Sequence, residues 1–204
     1  MKNNKNISRK DRLKSKRLAP ANYLIVCEGK QTEPNYFNGL KKKINKNYGS
    51  KVDVLIPNIE IKGTGENTTA LVKYTDKFVN YSNKRYGQVW VVFDKAIKTC
   101  DYNVAWSNPN FELWLLSHFK KVNRYISKDS VLQELSKEFQ KKGLGEYTKN
   151  DTNIFEKVTS EERLHTAIKN CEYMEELNKD GQESRRNPMT KVYKIIDGLK
   201  EYLE

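Results

Sequence analysis

The apolar run Tyr23–Cys27 (YLIVC) is followed directly by Glu28-Gly29. A short run without polar positions is typical of a strand that is buried on both faces, as in a parallel sheet. Beyond it, Thr32 is placed to cap a helix, because apolar side chains recur at helical spacing between Tyr36 and Ile44. This opening therefore predicts a buried strand followed by a helix.

Outward from this opening, strands and helices alternate. A strand or a strand pair is predicted over residues 52–61, interrupted by Pro57-Asn58. Further strands are predicted at Gln88–Phe93 and Asn103–Trp106, with a second helix around Leu71–Phe78. Such alternation predicts an α/β fold with a largely parallel sheet flanked by helices.

The C-terminal half has helical patterns instead. Helices are predicted at Phe111–Phe119, Val131–Lys142, Glu161–Asn178 and Pro188–Leu203. Asn108-Pro109 and Asn187-Pro188 are predicted to open the first and the last of these, since a capping side chain followed by proline favours a helix start. The first helix is apolar nearly all round, which predicts that it lies in the core.

The connection between two of the strands is short. Only nine residues separate Phe93 from Asn103, whereas a parallel crossover through a helix needs roughly a dozen or more. Either the two strands form an antiparallel pair, or the sequence lacks a stretch near Lys95-Ala96.

The composition excludes several classes of protein. Hydrophobic residues make up 37% of the 204 residues, enough for one core, and no apolar run approaches the roughly 18–20 residues of a membrane span. The charged N-terminus has no apolar stretch behind it, so we expect no secretory signal. Cys27, Cys100 and Cys171 lie far apart, which disfavours a disulfide framework or a zinc site. We expect a cytoplasmic protein.

The positive charge is concentrated near the N-terminus. The net charge is +12, and eight Lys and Arg residues between positions 2 and 17 stand against one acid, Asp11. A segment with so few apolar side chains cannot offset its ordering entropy, so residues 1–20 are predicted to be a disordered basic arm. The arm either solubilises the chain or contacts phosphates or an acidic partner.

Two predicted strands end in an acid, Glu28 and Asp94. Functional groups gather at the carboxyl ends of strands in an open α/β sheet, and Gly29 allows the backbone to turn sharply there. Two carboxylates at this edge suit Mg²⁺, which prefers oxygen ligands and often binds phosphate substrates. The alternative is that both acids merely begin solvated loops.

Three further titratable side chains lie on the predicted helices. Glu112 is on the helix predicted to be buried, so its carboxylate needs a partner, either the helix N-terminus or a metal or cationic group. His118 is interpreted as a satisfied core histidine rather than a general base, and His165 as a surface residue. Gly63–Gly65 lacks the ending of a phosphate-binding loop.

Four segments carry distinctive motifs in a fixed order. They are LIVCEGKQTEPNYF (Leu24–Phe37), VVFDK (Val91–Lys95), SNPNFELWLLSHF (Ser107–Phe119) and NPMTKVY (Asn187–Tyr193). Together they resemble RloB-like proteins over residues 22–203. The resemblance implies a Toprim-related core, the metal-binding α/β fold of topoisomerases, primases and some nucleases. It also implies a prokaryotic defence locus with an ABC- or AAA-type ATPase nearby.

The resemblance implies roles at matching positions. Glu28 corresponds to the Toprim glutamate that acts in proton transfer or metal binding, and Asp94 to the first carboxylate of an Asp-x-Asp metal pair. The second carboxylate is missing, because Ala96 follows Lys95. Relatives carry a longer, acid-containing segment at this point. Glu112 belongs to the family motif and is expected to support the site.

These observations predict a disordered arm over 1–20, a Toprim-like core over 21–120 and a helical C-terminal part over 121–204. The predicted function is Mg²⁺-dependent cleavage of RNA or DNA in antiviral defence and abortive infection, with Mn²⁺ as an alternative ion. The other interpretation is a non-catalytic subunit that binds nucleic acid or the ATPase.

The predicted site has three groups of residues. Glu28, Asp94 and Glu112 are the predicted catalytic residues, and Glu28 and Asp94 also the metal ligands. The predicted substrate contacts are Gly29, Lys30, Lys95, Arg185 and Arg186. The expected partners are nucleic acid and the ATPase, with a homo-oligomer as a further option and no membrane.

Overall fold

The fold is known from a computed structural model, which describes residues 21–49, 55–94, 101–160, 162–180, 182 and 185–203. The predicted basic arm, the first residues of the strand predicted from position 52, and Lys95 lie outside the described residues.

The described residues form five strands and seven α-helices. The strands are β1 (Tyr23–Cys27), β2 (Ile59–Gly63), β3 (Gln88–Phe93), β4 (Asn103–Asn108) and β5 (Met189–Thr190). The helices are α1 (Thr32–Tyr48), α2 (Thr68–Tyr81), α3 (Glu112–Ser117), α4 (Lys128–Lys141), α5 (Ile154–Thr159), α6 (Arg163–Leu177) and α7 (Tyr193–Asp197), followed by a 3₁₀ turn at Lys200–Tyr202.

The strands form one sheet in the order β2-β1-β3-β4-β5. β1 to β4 are parallel, and β5 pairs antiparallel with β4. Cys27 pairs with Gly63 of β2 and with Val92 of β3, so the three strands end at the same edge. The α/β class with a largely parallel sheet is confirmed, and the arrangement is Rossmann-like.

Helices cover both faces of the sheet. Successive side chains of a strand point to opposite faces, and Leu24–Cys27 are all buried. α1 packs on β2 and α5, and α2 packs on β1 and β3. Leu40 and Ile44 of α1 are buried at the predicted helical spacing. The apolar run that predicted β1 therefore lies at the centre of the core.

The short connection after β3 joins parallel strands. Trp90 pairs with Asn103 and Phe93 with Trp106 in parallel register, so the predicted antiparallel alternative is wrong. Positions 95–100 of this connection are outside the described residues. On the other side of the sheet, residues 55–58 precede β2 without strand structure. Of the strand or strand pair predicted around Pro57, the described part of the chain therefore has a single strand.

α3 lies in the core, as predicted, with all six of its residues buried. Asn108-Pro109 does not open it, however. Asn108 is the last residue of β4, and its Nδ2 donates to the carbonyl of Arg186 at 2.7 Å. α3 begins only at Glu112, with Phe111 at its N-cap position, so Asn108 caps no helix.

The predicted helix Pro188–Leu203 is also wrong. Met189–Thr190 form β5, and only Tyr193–Asp197 are α-helical within that range. Asn187 binds the Ile126 main chain instead of capping a helix, since its Oδ1 accepts from the N–H and its Nδ2 donates to the carbonyl, both at 3.0 Å. The C-terminal part therefore adds a strand to the sheet as well as helices.

Two smaller features differ from the sequence predictions. Thr32 is the first residue of α1 rather than its cap, and its Oγ1 donates to the carbonyl of Lys149 at 3.2 Å. α5 was not predicted, because it is only six residues long, although Phe155 and Val158 are buried. None of the helices in the described part of the chain has the length and apolar character needed to cross a membrane.

Candidate functional site

Glu28 and Asp94 meet at the carboxyl edge of the sheet. They follow the adjacent parallel strands β1 and β3, and the N–H of Glu28 donates to the carbonyl of Val92 at 2.8 Å. The N–H of Asp94 in turn donates to Oε2 of Glu28 at 3.2 Å. The expected juxtaposition of the two acids is therefore present, and main-chain hydrogen bonding holds it.

The Asp94 carboxylate joins three elements. Its Oδ1 accepts from the N–H of Phe111, just before α3, at 3.2 Å. Its Oδ2 accepts from Nζ of Lys128, the first residue of α4, at 3.1 Å. The half-exposed lysine is thus the cation that neutralises Asp94.

The surroundings of Glu28 shift its pKa upward. Burial raises the pKa of Glu28, and the charge of Asp94 raises it further. The hydrogen bond from the Asp94 N–H and the charge of Lys128 oppose this rise, because both favour the carboxylate. The pKa of Glu28 nevertheless lies above its ordinary value, the direction expected for a group that exchanges protons near neutral pH.

Glu33 is a site residue that sequence reasoning missed. It lies in the first turn of α1 and is 9% exposed. Burial, followed by the charges of Asp94 and Glu112, raises the pKa of Glu33 to about 7 despite a hydrogen bond from the Gly29 N–H. A Cβ at Gly29 would collide with the Glu33 carboxylate, so this glycine allows the close approach. The sequence carries no signal that singles out Glu33, because an acid in the first turn of a helix is usually solvated.

Glu112 has the partner that its burial requires. Its Oε1 accepts a hydrogen bond from the Tyr147 hydroxyl at 2.9 Å and lies 3.9 Å from Nζ of Lys149. Burial and the charge of Glu112 raise the pKa of Tyr147, so this hydroxyl stays a donor. The segment that carries these partners is held to α1 through the Thr32 hydroxyl. Both predicted environments are present, because Glu112 lies in the first turn of α3 and also contacts a hydroxyl and a lysine.

These groups line a cleft of about 440 Å³. Its lining residues are Glu28, Gly29, Lys30, Gln31, Thr32, Glu33, Asp94, Phe111, Glu112 and Lys149. Four carboxylates therefore converge on one opening, with Lys30 and Lys149 beside them. Lys30 is exposed, as a substrate-binding lysine must be, and its alkyl chain lies against Gly65.

The other predicted residues lie elsewhere. Arg185 and Arg186 do not line the cleft, and Nη2 of Arg186 donates to the carbonyl of Lys179 at 2.8 Å. His118 is a satisfied core histidine, as predicted: its Nδ1 lies 2.9 Å from the Trp114 carbonyl, and burial lowers its pKa to about 3. His165 is exposed on α6, also as predicted.

The donor atoms of the cleft suit a hard cation. Carboxylate oxygens are the ligands that Mg²⁺ prefers, and four carboxylates line this cleft. Burial is the main cause of the raised pKa values of Glu28 and Glu33, and the charges of neighbouring acids add to it. Within the described ranges, however, no group of three or more His, Cys, Asp or Glu side chains is arranged to hold a metal ion.

The fold and the cleft together define a Rossmann-like α/β protein with a carboxylate cluster at the carboxyl ends of its parallel strands. A more specific assignment comes from comparison with known families. The chain belongs to the RloB-like protein family, whose model matches residues 23–199. No curated protein and no solved structure matches it.

Proposed function

We propose that this protein is a Toprim-like, metal-dependent nuclease that cleaves phosphodiester bonds in RNA or DNA. The observation that carries the proposal is the contact between Glu28 and Asp94 at the ends of two adjacent parallel strands. Ligand sites of open α/β sheets lie at this edge. The family resemblance assigns the Toprim glutamate and the first metal-binding aspartate to the same two positions.

Each step of the reaction has a candidate group in the cleft. Hydrolysis requires a water oxygen to attack phosphorus, one P–O ester bond to break and the leaving oxygen to gain a proton. Glu28, with its raised pKa, is proposed to take the proton from the attacking water and then to give a proton to the leaving oxygen. Lys30 and Lys149 are exposed at the cleft and are proposed to contact the phosphate oxygens.

The proposed cofactor is Mg²⁺, with Mn²⁺ as an alternative, held by Glu28 and Asp94. When bound, the ion would neutralise charge on the phosphate and lower the pKa of a bound water. Glu112 is proposed to support the site through Tyr147 and Lys149 rather than to bind the ion. Glu33 adds negative charge next to the two proposed ligands and so favours a cation there.

We further propose that the activity serves antiviral defence, with an ABC- or AAA-type ATPase as partner. This proposal rests on membership of the RloB-like family and on the implications of that resemblance. Arg185 and Arg186 lie outside the cleft, so a role for them in substrate binding requires a substrate that extends beyond it.

The second candidate function is a non-catalytic subunit that binds nucleic acid or the ATPase. Two observations favour it. Ala96 stands where an Asp-x-Asp pair would have its second carboxylate. In addition, the part of the chain that the structure describes has no group of three metal-ligating side chains.

A nuclease assay separates the two functions. Mixed labelled RNA and DNA substrates are incubated with the full chain, with and without Mg²⁺ or Mn²⁺, and with and without the neighbouring ATPase. Metal-dependent cleavage that disappears on chelation is expected. Binding of nucleic acid or ATPase without cleavage under any of these conditions would favour the non-catalytic subunit.

A further inference from the structure

An exposed tyrosine lies in the connection between α3 and α4. Tyr125 is 76% exposed, and its neighbour Arg124 is exposed as well. Among the contacts of the described residues, neither side chain takes part in a hydrogen bond or an ion pair. An aromatic ring left in water next to such a guanidinium is available to a ligand that has both flat rings and negative charge.

The ring is presented by an anchored backbone. Val122 is buried before it, and the main chain of Ile126 after it is clasped by the Asn187 side chain through two hydrogen bonds of 3.0 Å. Ser127 then caps α4 by accepting from the N–H of Ser130 at 3.2 Å. Because the backbone is held on both sides, the exposure of Tyr125 is a property of the fold rather than of a loose loop.

A basic cleft runs along the same connection. It has a volume of about 620 Å³, and its lining includes the cations Lys120, Lys121 and Arg124 and a single carboxylate, Glu134. Glu134 is already paired, with Lys120 at 2.8 Å and with Lys137 at 3.2 Å. Nζ of Lys121 lies over the Tyr173 ring, 3.2 Å from its centroid, a contact that leaves its charge unneutralised. The positive charge of Lys121 and Arg124 therefore favours a polyanion.

The connection leads to the carboxylate cleft. Lys128, whose Nζ contacts Asp94, follows Tyr125 by three residues. Three residues of extended chain span at most about 11 Å. A ligand that covers Tyr125 therefore lies within a few nucleotide lengths of Asp94.

We infer that Lys121, Arg124 and Tyr125, here called the Tyr125 surface, bind a single-stranded segment of nucleic acid beside the carboxylate cleft. A base stacks on the Tyr125 ring, and the flanking phosphates lie against Lys121 and Arg124. A single strand is required, because the faces of paired bases are covered by their neighbours whereas unpaired bases can stack on an aromatic side chain. The inference rests on the proposed function for the class of substrate, but its test does not require cleavage.

The test measures binding without metal. Fluorescently labelled single-stranded RNA and DNA of about 12 nucleotides, and a duplex of the same sequence, are titrated with the full chain in chelator. Tyr125→Ala is expected to weaken single-strand binding by about 5- to 100-fold, while Tyr125→Phe, which keeps the ring, retains it. Tyr81→Ala is the matched control, because Tyr81 is 87% exposed on α2, away from this surface. Arg124→Ala is expected to lower the salt dependence of binding by about one unit of slope, the contribution of one phosphate contact.

The outcomes separate this inference from the proposed nuclease function. Equal binding by wild type and Tyr125→Ala, a preference for duplex, or absence of oligonucleotide binding would each overturn the Tyr125 surface. A Tyr125→Ala defect confined to binding of the ATPase would overturn it too. If Tyr125→Ala weakens binding of RNA more than binding of DNA, or the reverse, the more affected oligonucleotide indicates the type of substrate. Either result supports the inference. If binding depends on Tyr125 but Mg²⁺ and Mn²⁺ produce no cleavage, the inference holds and the nuclease proposal fails.

Discussion

The main-chain N–H of Asp94 donates a hydrogen bond to Oε2 of Glu28 across 3.2 Å. The backbone of one acidic residue thus orients the carboxylate of the other, while the Asp94 side chain is held separately by Phe111 and Lys128. The two carboxylates therefore keep their positions without a metal ion. Amide isosteres at either position can preserve much of this hydrogen bonding, so they test charge rather than folding.

Glu28→Gln and Asp94→Asn are each expected to reduce cleavage by at least about 100-fold, because they remove a proton acceptor or a negative ligand while keeping side-chain volume. Initial cleavage rates with Mg²⁺ measure the effect, and circular dichroism checks the fold. Glu176→Gln is the matched control, since Glu176 is an exposed carboxylate on α6. Full cleavage by both site variants would remove these residues from the mechanism.

Mg²⁺ is expected to raise the melting temperature of the wild type by several degrees when it is present well above its dissociation constant, because it binds the folded state. Lys128→Met should shift this increase to lower Mg²⁺ concentration, since Lys128 occupies Oδ2 of Asp94. Asp94→Asn should abolish most of the increase. Lys137→Met, on the same helix, is the control. A Lys128→Met protein that needs more Mg²⁺ would show that this lysine does not compete with the ion.

The central part of the site was predictable from the sequence. A short apolar run such as Tyr23–Cys27 that ends at Glu28-Gly29 favours a buried strand, and parallel strands bring their carboxyl ends to one edge. Glu28 and Asp94 therefore had to be neighbours if β1 and β3 were adjacent, which they are. Glu33 was not predictable in this way, because an acid in the first turn of a helix is usually a solvated partner of the helix dipole. Its carboxylate occupies the space that a Cβ of residue 29 would need and that Gly29 leaves open.

The errors at the two Asn-Pro pairs have a common physical cause. Local rules assign an asparagine before proline to a helix cap. Here the amide of Asn108 binds Arg186, and the amide of Asn187 binds Ile126, residues that lie 78 and 61 positions away along the chain. Such long-range contacts leave no local signal. β5 is two residues long, too short for the alternation of a strand to appear.

Deleting residues 2–17 tests the basic arm, whose eight Lys and Arg residues lie outside the described part of the chain. If the arm contacts phosphates, the deletion should weaken nucleic-acid binding and flatten its salt dependence by roughly one unit of slope for each phosphate that the arm neutralises. Binding titrations at several salt concentrations measure both quantities. Unchanged affinity and slope would mean that the arm only solubilises the protein.

Glu33→Gln is expected to stabilise the metal-free protein at pH 8 and to change little at pH 5. The pKa of Glu33 is about 7 in the folded protein, above its ordinary 4.5, so the folded state binds more protons between these values. The contribution of Glu33 to stability is therefore fully present below about pH 4.5 and is lost as the pH rises through about 7. Glutamine does not titrate, and the gain at pH 8 is at most about 3 kcal/mol.

Urea unfolding in chelator between pH 5 and pH 8 measures this difference, with Glu176→Gln as the control. The difference between variant and wild type is the informative quantity, because other buried groups titrate in the opposite sense. Burial lowers the pKa of His118 to about 3, so the neutral histidine makes the folded state less stable as the pH falls below about 6.5. That contribution is common to both proteins and cancels. A difference that does not grow with pH, or a less stable variant at pH 8, would show that the Glu33 carboxylate is not destabilised by burial and by its acidic neighbours.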